Sequence, residues 1–271
     1  MDNVTKRYSK FRFSNGFTEI RNFSRRVFKT YKKPISVADK KNTKLIAHRG
    51  LSSIWRENSL SAFKAAGKEA YWGIETDVHP TSDGKYVIIH DDSTGRVGSP
   101  KLPVDESTLE QLQQVKLRVK NKDTSEDGTR IPLLEEYIQV CKDASKISVL
   151  ELKNYFDKKY IEEIVEIIKG MGRLDETVFI SFNYENLKSL REISPDIKMQ
   201  FLASRYDKEL IGHLKAINCD IDIYYAELSR ARVKAFHDAG IKVNCWTVDT
   251  KPRARLLIEW GVDYITTNCL V

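Results

Sequence analysis

GIETDVHPTSDGKYVIIHDD, residues 73–92, holds two strand-like runs joined only by Pro80 to Lys85. A parallel crossover needs about a dozen residues or more, so these two runs pair as an antiparallel hairpin. Everywhere else from Lys44 onward the β-branched runs (44–48, 73–78, 86–90, 147–153, 177–182, 198–202, 219–224, 241–247 and 263–267) alternate with longer stretches of helical period. The helical stretches fall at 58–69, 132–144, 157–170, 184–193, 206–216, 229–239 and 252–260. With the returning arm of the hairpin set aside, eight crossover-linked strands remain, in a length near the ~250 residues typical of a (β/α)8 TIM barrel. A doubly wound open sheet is the competing α/β architecture, but it calls for a glycine-rich phosphate turn after the first strand, and AHRGLSS is not one.

The chain has 271 residues, 41% of them apolar, enough for a sizeable core. It divides into a basic amphipathic extension, residues 1–43, and the barrel, residues 44–271, with a polar insertion at about 91–131 above the barrel mouth and one helix expected near 107–118. The extension holds 12 Lys and Arg against Asp2, Glu19 and Asp39, a net +9, so with +7 for the whole chain the barrel is about −2. Within residues 11–33, Phe13, Phe17, Ile20, Phe23, Val27 and Tyr31 recur every three or four positions between arginines and lysines. Such a stripe suits either peripheral contact with an anionic membrane or a plug across the barrel bottom. Gly16 and the polar residues around it set the first dozen residues apart as a short element of their own. No recognised nucleic-acid module is present, so nucleic acid is not an expected partner. Apolar runs stay short of the ~20 residues of a membrane span and the N-terminus is charged, which makes the expected compartment the cytoplasm, with contact at the inner membrane face as the role open to the arm. Cys141, Cys219, Cys245 and Cys269 show no metal spacing and read as reduced structural thiols. Composition does not fix the oligomeric state.

In a barrel of this kind, the C-terminal strand ends form the reactive face. They carry His48-Arg49, Glu75 and Asp77, Glu151 and Lys153, Ser181, and Trp246-Thr247. Glu75 and Asp77 stand two apart on one strand and share a face, a repulsive arrangement unless a cation lies between them. Glu151 on the next barrel strand can reach the same ion, and three hard oxygen ligands favour Mg2+ or Ca2+ over zinc. An isolated E-x-D is more often a surface pair with lysine partners; its setting at matching ends of apolar strands favours the metal. If the hairpin turns on Asp83-Gly84, His90 lies directly opposite Asp77 and returns to the rim, where His48 meets it from the first strand. Paired imidazoles suit acid and base work near neutral pH, and Arg49 with Lys153 suits a phosphate. His79 is expected to face away from Asp77, and His213 and His237 to lie in solvent.

The ordered set AHRG (47–50), ENS (57–59), ETDV (75–78), TSDGKYVIIHD (81–91), ELK (151–153), WTV (246–248) and ITT (265–267) resembles the glycerophosphodiester phosphodiesterase family over residues 44–271. The resemblance implies a metal-dependent TIM-barrel hydrolase that cleaves glycerophosphodiesters to an alcohol and glycerol 3-phosphate. It makes His48 and His90 the acid/base pair and Glu75, Asp77 and Glu151 the metal ligands. Arg49 and Lys153 then meet the phosphate, Trp246 walls the glycerol end and Glu57 buttresses the substrate-binding side. Asn268 departs from the Thr-Asp common in the family after the last strand. Two other functions fit the same residues: a phospholipase of sphingomyelinase D or phospholipase C type that forms a cyclic phosphate, and a non-catalytic barrel that binds phosphate or membrane.

Overall fold

The alternation of strand and helix closes into a ring. The computed structural model describes residues 2–9 and 33–271. Its eight barrel strands are β1 (Lys44–Ala47), β2 (Gly73–Pro80), β6 (Ile147–Leu152), β7 (Thr177–Ser181), β8 (Lys198–Ala203), β9 (Asp220–Tyr224), β10 (Val243–Trp246) and β11 (Tyr264–Thr267). All are parallel to their barrel neighbours, and β1 pairs with both β11 and β2, which closes the (β/α)8 TIM barrel. The short β3 (Tyr86–Ile88) hangs antiparallel on β2.

Ile46, Val149, Val178, Ile180, Leu202 and Tyr264 fill the barrel interior, while a larger apolar layer lies between strands and helices. The helix Lys158–Gly170 shows why the periodicity was legible: Ile161, Ile164, Val165 and Ile168 are buried on one face, each contributing about 1.5–3 kcal/mol on leaving water. Ser59 and Ser229 cap the helices that follow them through their side chains, and Gly261, at φ +86°, ends the last helix in the left-handed conformation glycine favours.

The insertion has its own small core of Val97, Val104, Leu112, Val115, Leu117 and Ile131, packed on Val87 and Ile89 of the hairpin arm. Its expected helix is shorter than the pattern suggested. Leu109–Gln113 is helical behind a Thr108 capping box, but β5 (Lys116–Leu117) then pairs with β4 (Gly98–Ser99), which takes the backbone out of the helix.

At the N-terminus, Asn3–Tyr8 forms one short helix capped by Asp2. Tyr8 is fully buried; its hydroxyl donates to Asp207 (2.6 Å), and its carbonyl accepts from Ser204 N just beyond β8. Residues 2–9 thus dock on the barrel flank at the C-terminal end of β8, not across its bottom. The helix expected over 11–33 lies outside the described residues, apart from Lys33. Among the described residues no helix is long and apolar enough to cross a membrane. All four cysteines are buried, and none of them forms a disulfide.

Candidate active site

Register on adjacent strands assembles the acidic trio. Glu75 and Asp77 lie on one face of β2, and Asp77 stands directly beside Glu151 of β6. One carboxylate oxygen from each lies within 4.8 Å of the others, and all three residues are buried. The donor set is hard oxygen only, and Asp77 Oδ1 is buried without a hydrogen-bond partner, an orphaned acceptor that suits a cation. Without an ion, burial and the Asp77 charge push Glu75 well above the usual carboxylate range, and burial, opposed by Lys153, leaves Glu151 raised to about 7. Asp77 is the member held ionised: despite burial, the His90, Lys153 and Arg49 charges keep it well below its ordinary value. These are the properties of a divalent cation site.

Cations frame this trio. The strand-end turn puts Arg49 at φ +54° and Gly50 at φ +75°, and a side chain at Gly50 would meet the Ala62 backbone at 2.7 Å, so only glycine fits under the following helix. That turn aims the Arg49 amide at Glu75 (2.8 Å) and its guanidinium at Glu57 (2.8 Å) and Asp77 (3.5 Å). Lys153 reaches Glu151 (2.9 Å) and Asp77 (3.5 Å). Glu57 also accepts two bonds from Arg96, so it positions Arg49 from behind, and against the cost of burial both arginines keep it ionised. Asn58, at φ +55°, donates to Asp77 Oδ2 (2.8 Å) and accepts from Thr76 (2.8 Å).

The hairpin register differs from expectation by one residue. Val78 pairs with Ile88 and Pro80 with Tyr86, so Ile89, not His90, stands opposite Asp77. Thr81 Oγ1 accepts from Lys85 N and donates to Asp83, which widens the turn to Ser82-Asp83-Gly84 with Gly84 at φ +71°. A slip of one residue would turn His90 to the other face of a regular strand. Regular pairing ends at Ile88, however, and His90 bends back to within electrostatic reach of Asp77, Arg49 and His48. His79 is also placed differently: it is buried within reach of the Asp77 charge, with Nε2 3.4 Å from the His90 carbonyl. Residues two apart on a strand share a face. His213 is half-buried between the rings of Tyr8 and Tyr184, whereas His237 is exposed and paired with Asp263.

The two imidazoles have unlike partners. His48 Nδ1 lies 2.8 Å from Asn268 Oδ1, and the Asn268 amide donates to Asp249 (2.7 Å). Because the Asp249 carboxylate only accepts, the amide must turn its NH2 to Asp249 and its oxygen to His48. His48 therefore carries its proton on Nδ1 and presents an unprotonated Nε2. His90 Nδ1 instead meets the carboxylate of Asp91 (2.6 Å), which Arg96 also holds (2.5 Å). Burial and then Arg49 lower both histidines, His48 to about 3; for His90 the nearby Asp77 and Asp91 charges pull upward. On the far wall, Trp246 packs edge-on against Phe182 (5.6 Å) and beside Tyr224 (5.7 Å).

Asp222, unremarked in the sequence, lies inside the barrel between Leu202 and Asn244 with both carboxylate oxygens buried and unpartnered. Burial and the Glu151 charge push it well above the usual carboxylate range, so it folds as a neutral acid. The folded state then binds a proton that the unfolded chain releases above about pH 3.9, and stability falls as pH rises, by about 1.4 kcal/mol per unit while that proton is kept. Asp222→Asn is expected to melt higher than wild type at pH 8, with a gap that shrinks by several degrees at pH 5. Thermal scans at the two pH values check this; a pH-independent gap would mean an ionised Asp222.

The profile of the glycerophosphoryl diester phosphodiesterase family matches residues 48–270. A glycerophosphodiester phosphodiesterase of Caldanaerobacter subterraneus is 29% identical over 232 residues, covering 83% of this chain and 94% of the relative. Among solved structures, an Oleispira antarctica phosphodiesterase in complex with the product sn-glycerol-3-phosphate superposes with a TM-score of 0.78 at 28% identity, covering 83% of this chain and 92% of that one. A glycerophosphodiester phosphodiesterase from Parabacteroides distasonis gives 0.70 at 27% identity over 85% and 94% of the two chains. A closed parallel barrel with three buried carboxylates beside Arg49 and Lys153 agrees with these likenesses, and the chain belongs to the glycerophosphoryl diester phosphodiesterase family, as a phosphodiesterase.

Proposed function

We propose that the chain hydrolyses glycerophosphodiesters to an alcohol and glycerol 3-phosphate, with His48 as general base and His90 as general acid. The observation that carries this reading is the difference in partners: His48 is held as a neutral acceptor by Asn268, while His90 rests on the Asp91 carboxylate, which favours the protonated ring. Water gives its proton to His48 Nε2 as its oxygen bonds to phosphorus; the P–O bond to the alcohol breaks, and His90 donates a proton to the departing oxygen. Arg49 and Lys153 offset charge on the non-bridging oxygens, and Trp246 walls the glycerol end. Glu75, Asp77 and Glu151 would hold one Mg2+ or Ca2+, which when bound withdraws charge from the phosphate.

Turnover of glycerophosphocholine, glycerophosphoethanolamine and glycerophosphoglycerol with each ion, followed by phosphorus NMR, tests this reading. Glycerol 3-phosphate is the expected product, with loss of turnover on chelation. A cyclic phosphate as end product would replace water by the substrate's own 2-hydroxyl as nucleophile. No turnover of any of the three with either ion would overturn the assignment.

A further inference from the structure

Outside the metal site, the rim of the mouth carries a group of cations that the reaction does not use. Arg56 lies in the loop between β1 and the helix Leu60–Gly67, and Arg118 and Lys120 follow β5 in the insertion. Among the described residues, the side chains of all three donate to backbone carbonyls. Arg56 Nε donates to Arg118 O (2.7 Å), Arg118 donates to Arg96 O (2.9 Å) and Gly95 O (3.0 Å), and Lys120 Nζ donates to Ser52 O (2.5 Å). A carbonyl holds a cation in place without neutralising it. Among the described residues none of the three has a carboxylate ion-pair partner, and the acids whose charge reaches them are committed: Glu57 to Arg49 and Arg96, and Asp91 beside it to Arg96 and His90.

The cost of this arrangement is visible in the side chains themselves. Burial, then the charge of Arg56, lowers Lys120 to about 8, and burial lowers Arg56, with Arg96 and Arg118 adding to it against Glu57. Like charges packed in this way relax when an anion enters between them. Their place ties them to the reaction. Ser52, whose carbonyl holds Lys120, has its hydroxyl 2.7 Å from the His48 carbonyl and 2.8 Å from Asn268 Oδ1. Arg56 is the chain neighbour of Glu57, which positions Arg49.

We propose that Arg56, Arg118 and Lys120 form a second phosphate subsite beside the mouth, which receives another phosphate group of the same substrate molecule. The enzyme then prefers glycerophosphodiesters with more than one phosphate over those with one. The inference rests on the phosphodiesterase reading for the location of the first phosphate. A charge-assisted contact with phosphate is worth about tenfold in binding.

Two soluble substrates separate the subsite from the reaction: glycerophosphoglycerol, and the same compound phosphorylated on its terminal glycerol hydroxyl. Wild type should turn over the doubly phosphorylated compound with a kcat/KM at least about tenfold higher. Arg56→Gln and Lys120→Gln should each reduce that preference about tenfold and leave glycerophosphoglycerol within twofold, while Lys120→Arg retains it. Equal losses on both substrates would make the residues scaffold only, and an unchanged preference would likewise overturn the proposal. If neither compound is turned over, the phosphodiesterase reading fails by itself, and the subsite is then judged by calorimetry with glycerol 3-phosphate and glycerol 1,3-bisphosphate on the same variants. A second arm adds vesicles of phosphatidylglycerol. Vesicle binding that depends on Arg56 and Lys120, with substrate preference unaltered, would assign the subsite to a lipid headgroup and overturn its assignment to the substrate.

Discussion

His48→Ala is expected to lower kcat/KM by roughly 10²–10⁴, the usual worth of one positioned proton transfer, with melting close to that of wild type. The same loss is expected for His90→Ala. The pH profiles should separate the roles, because removal of the base takes away the dependence on the acidic side of the optimum and removal of the acid that on the basic side. The double variant should lose less than the product of the two, since the groups act on one transition state. Asn268→Ala, which leaves both imidazoles in place and removes only the acceptor that holds the His48 Nδ1 proton, should fall between wild type and His48→Ala. Full activity in His48→Ala would end the acid/base assignment.

The second large effect concerns the ion. Three buried carboxylates within 4.8 Å repel one another until a cation joins them, so metal-free enzyme should gain stability on addition of Mg2+ or Ca2+. At a hundred times the dissociation constant, the gain is about 2.7 kcal/mol, or roughly 5–10 °C in melting temperature for a domain of this size. Glu75→Gln removes one ligand and, with it, the carboxyl that burial and the Asp77 charge make costly to ionise in the metal-free site. Its metal-free form should therefore melt at or above the metal-free wild type, the rise on adding the ion should largely vanish, and the ion concentration for half-maximal turnover should increase by about 10²-fold or more. A residue with a merely structural role would lower the metal-free melting temperature instead. Unaltered metal dependence in Glu75→Gln would remove it from the ligand set.

The barrel was legible because its signals are local. Apolar runs at strand length, helices of period 3.6 and one connection too short for a crossover define eight strands and a hairpin without any tertiary information. The convergence of Glu75, Asp77 and Glu151 was legible for the same reason, since the alternation of side chains along β2 and the next strand in order fix its geometry. The hairpin register was not, because it depended on whether the Thr81 hydroxyl would serve the backbone of Lys85, and that single bond moves every partner by one. The supporting partners were hidden by distance along the chain. Asn268 meets His48 across a separation of 220 residues, and no pattern in sequence announces such a contact. Asn58 gave a faint local signal, as the middle of an E-N-S motif in a left-handed turn. Asp222 gave none: one of two aspartates alternating with isoleucine along a short strand, it reads as outward-facing, and its burial is evident only once the ring has closed.

The meeting of Asp249 and Asn268 has a consequence for how this barrel can vary. A carboxylate and an amide there are complementary, whereas two acids would set acceptor against acceptor and two amides would leave the orientation of the His48 partner undetermined. A homologue with aspartate in the place of Asn268 must therefore carry a donor in the place of Asp249. The two positions, 19 residues apart, are bound to drift through a lineage as one reciprocal exchange.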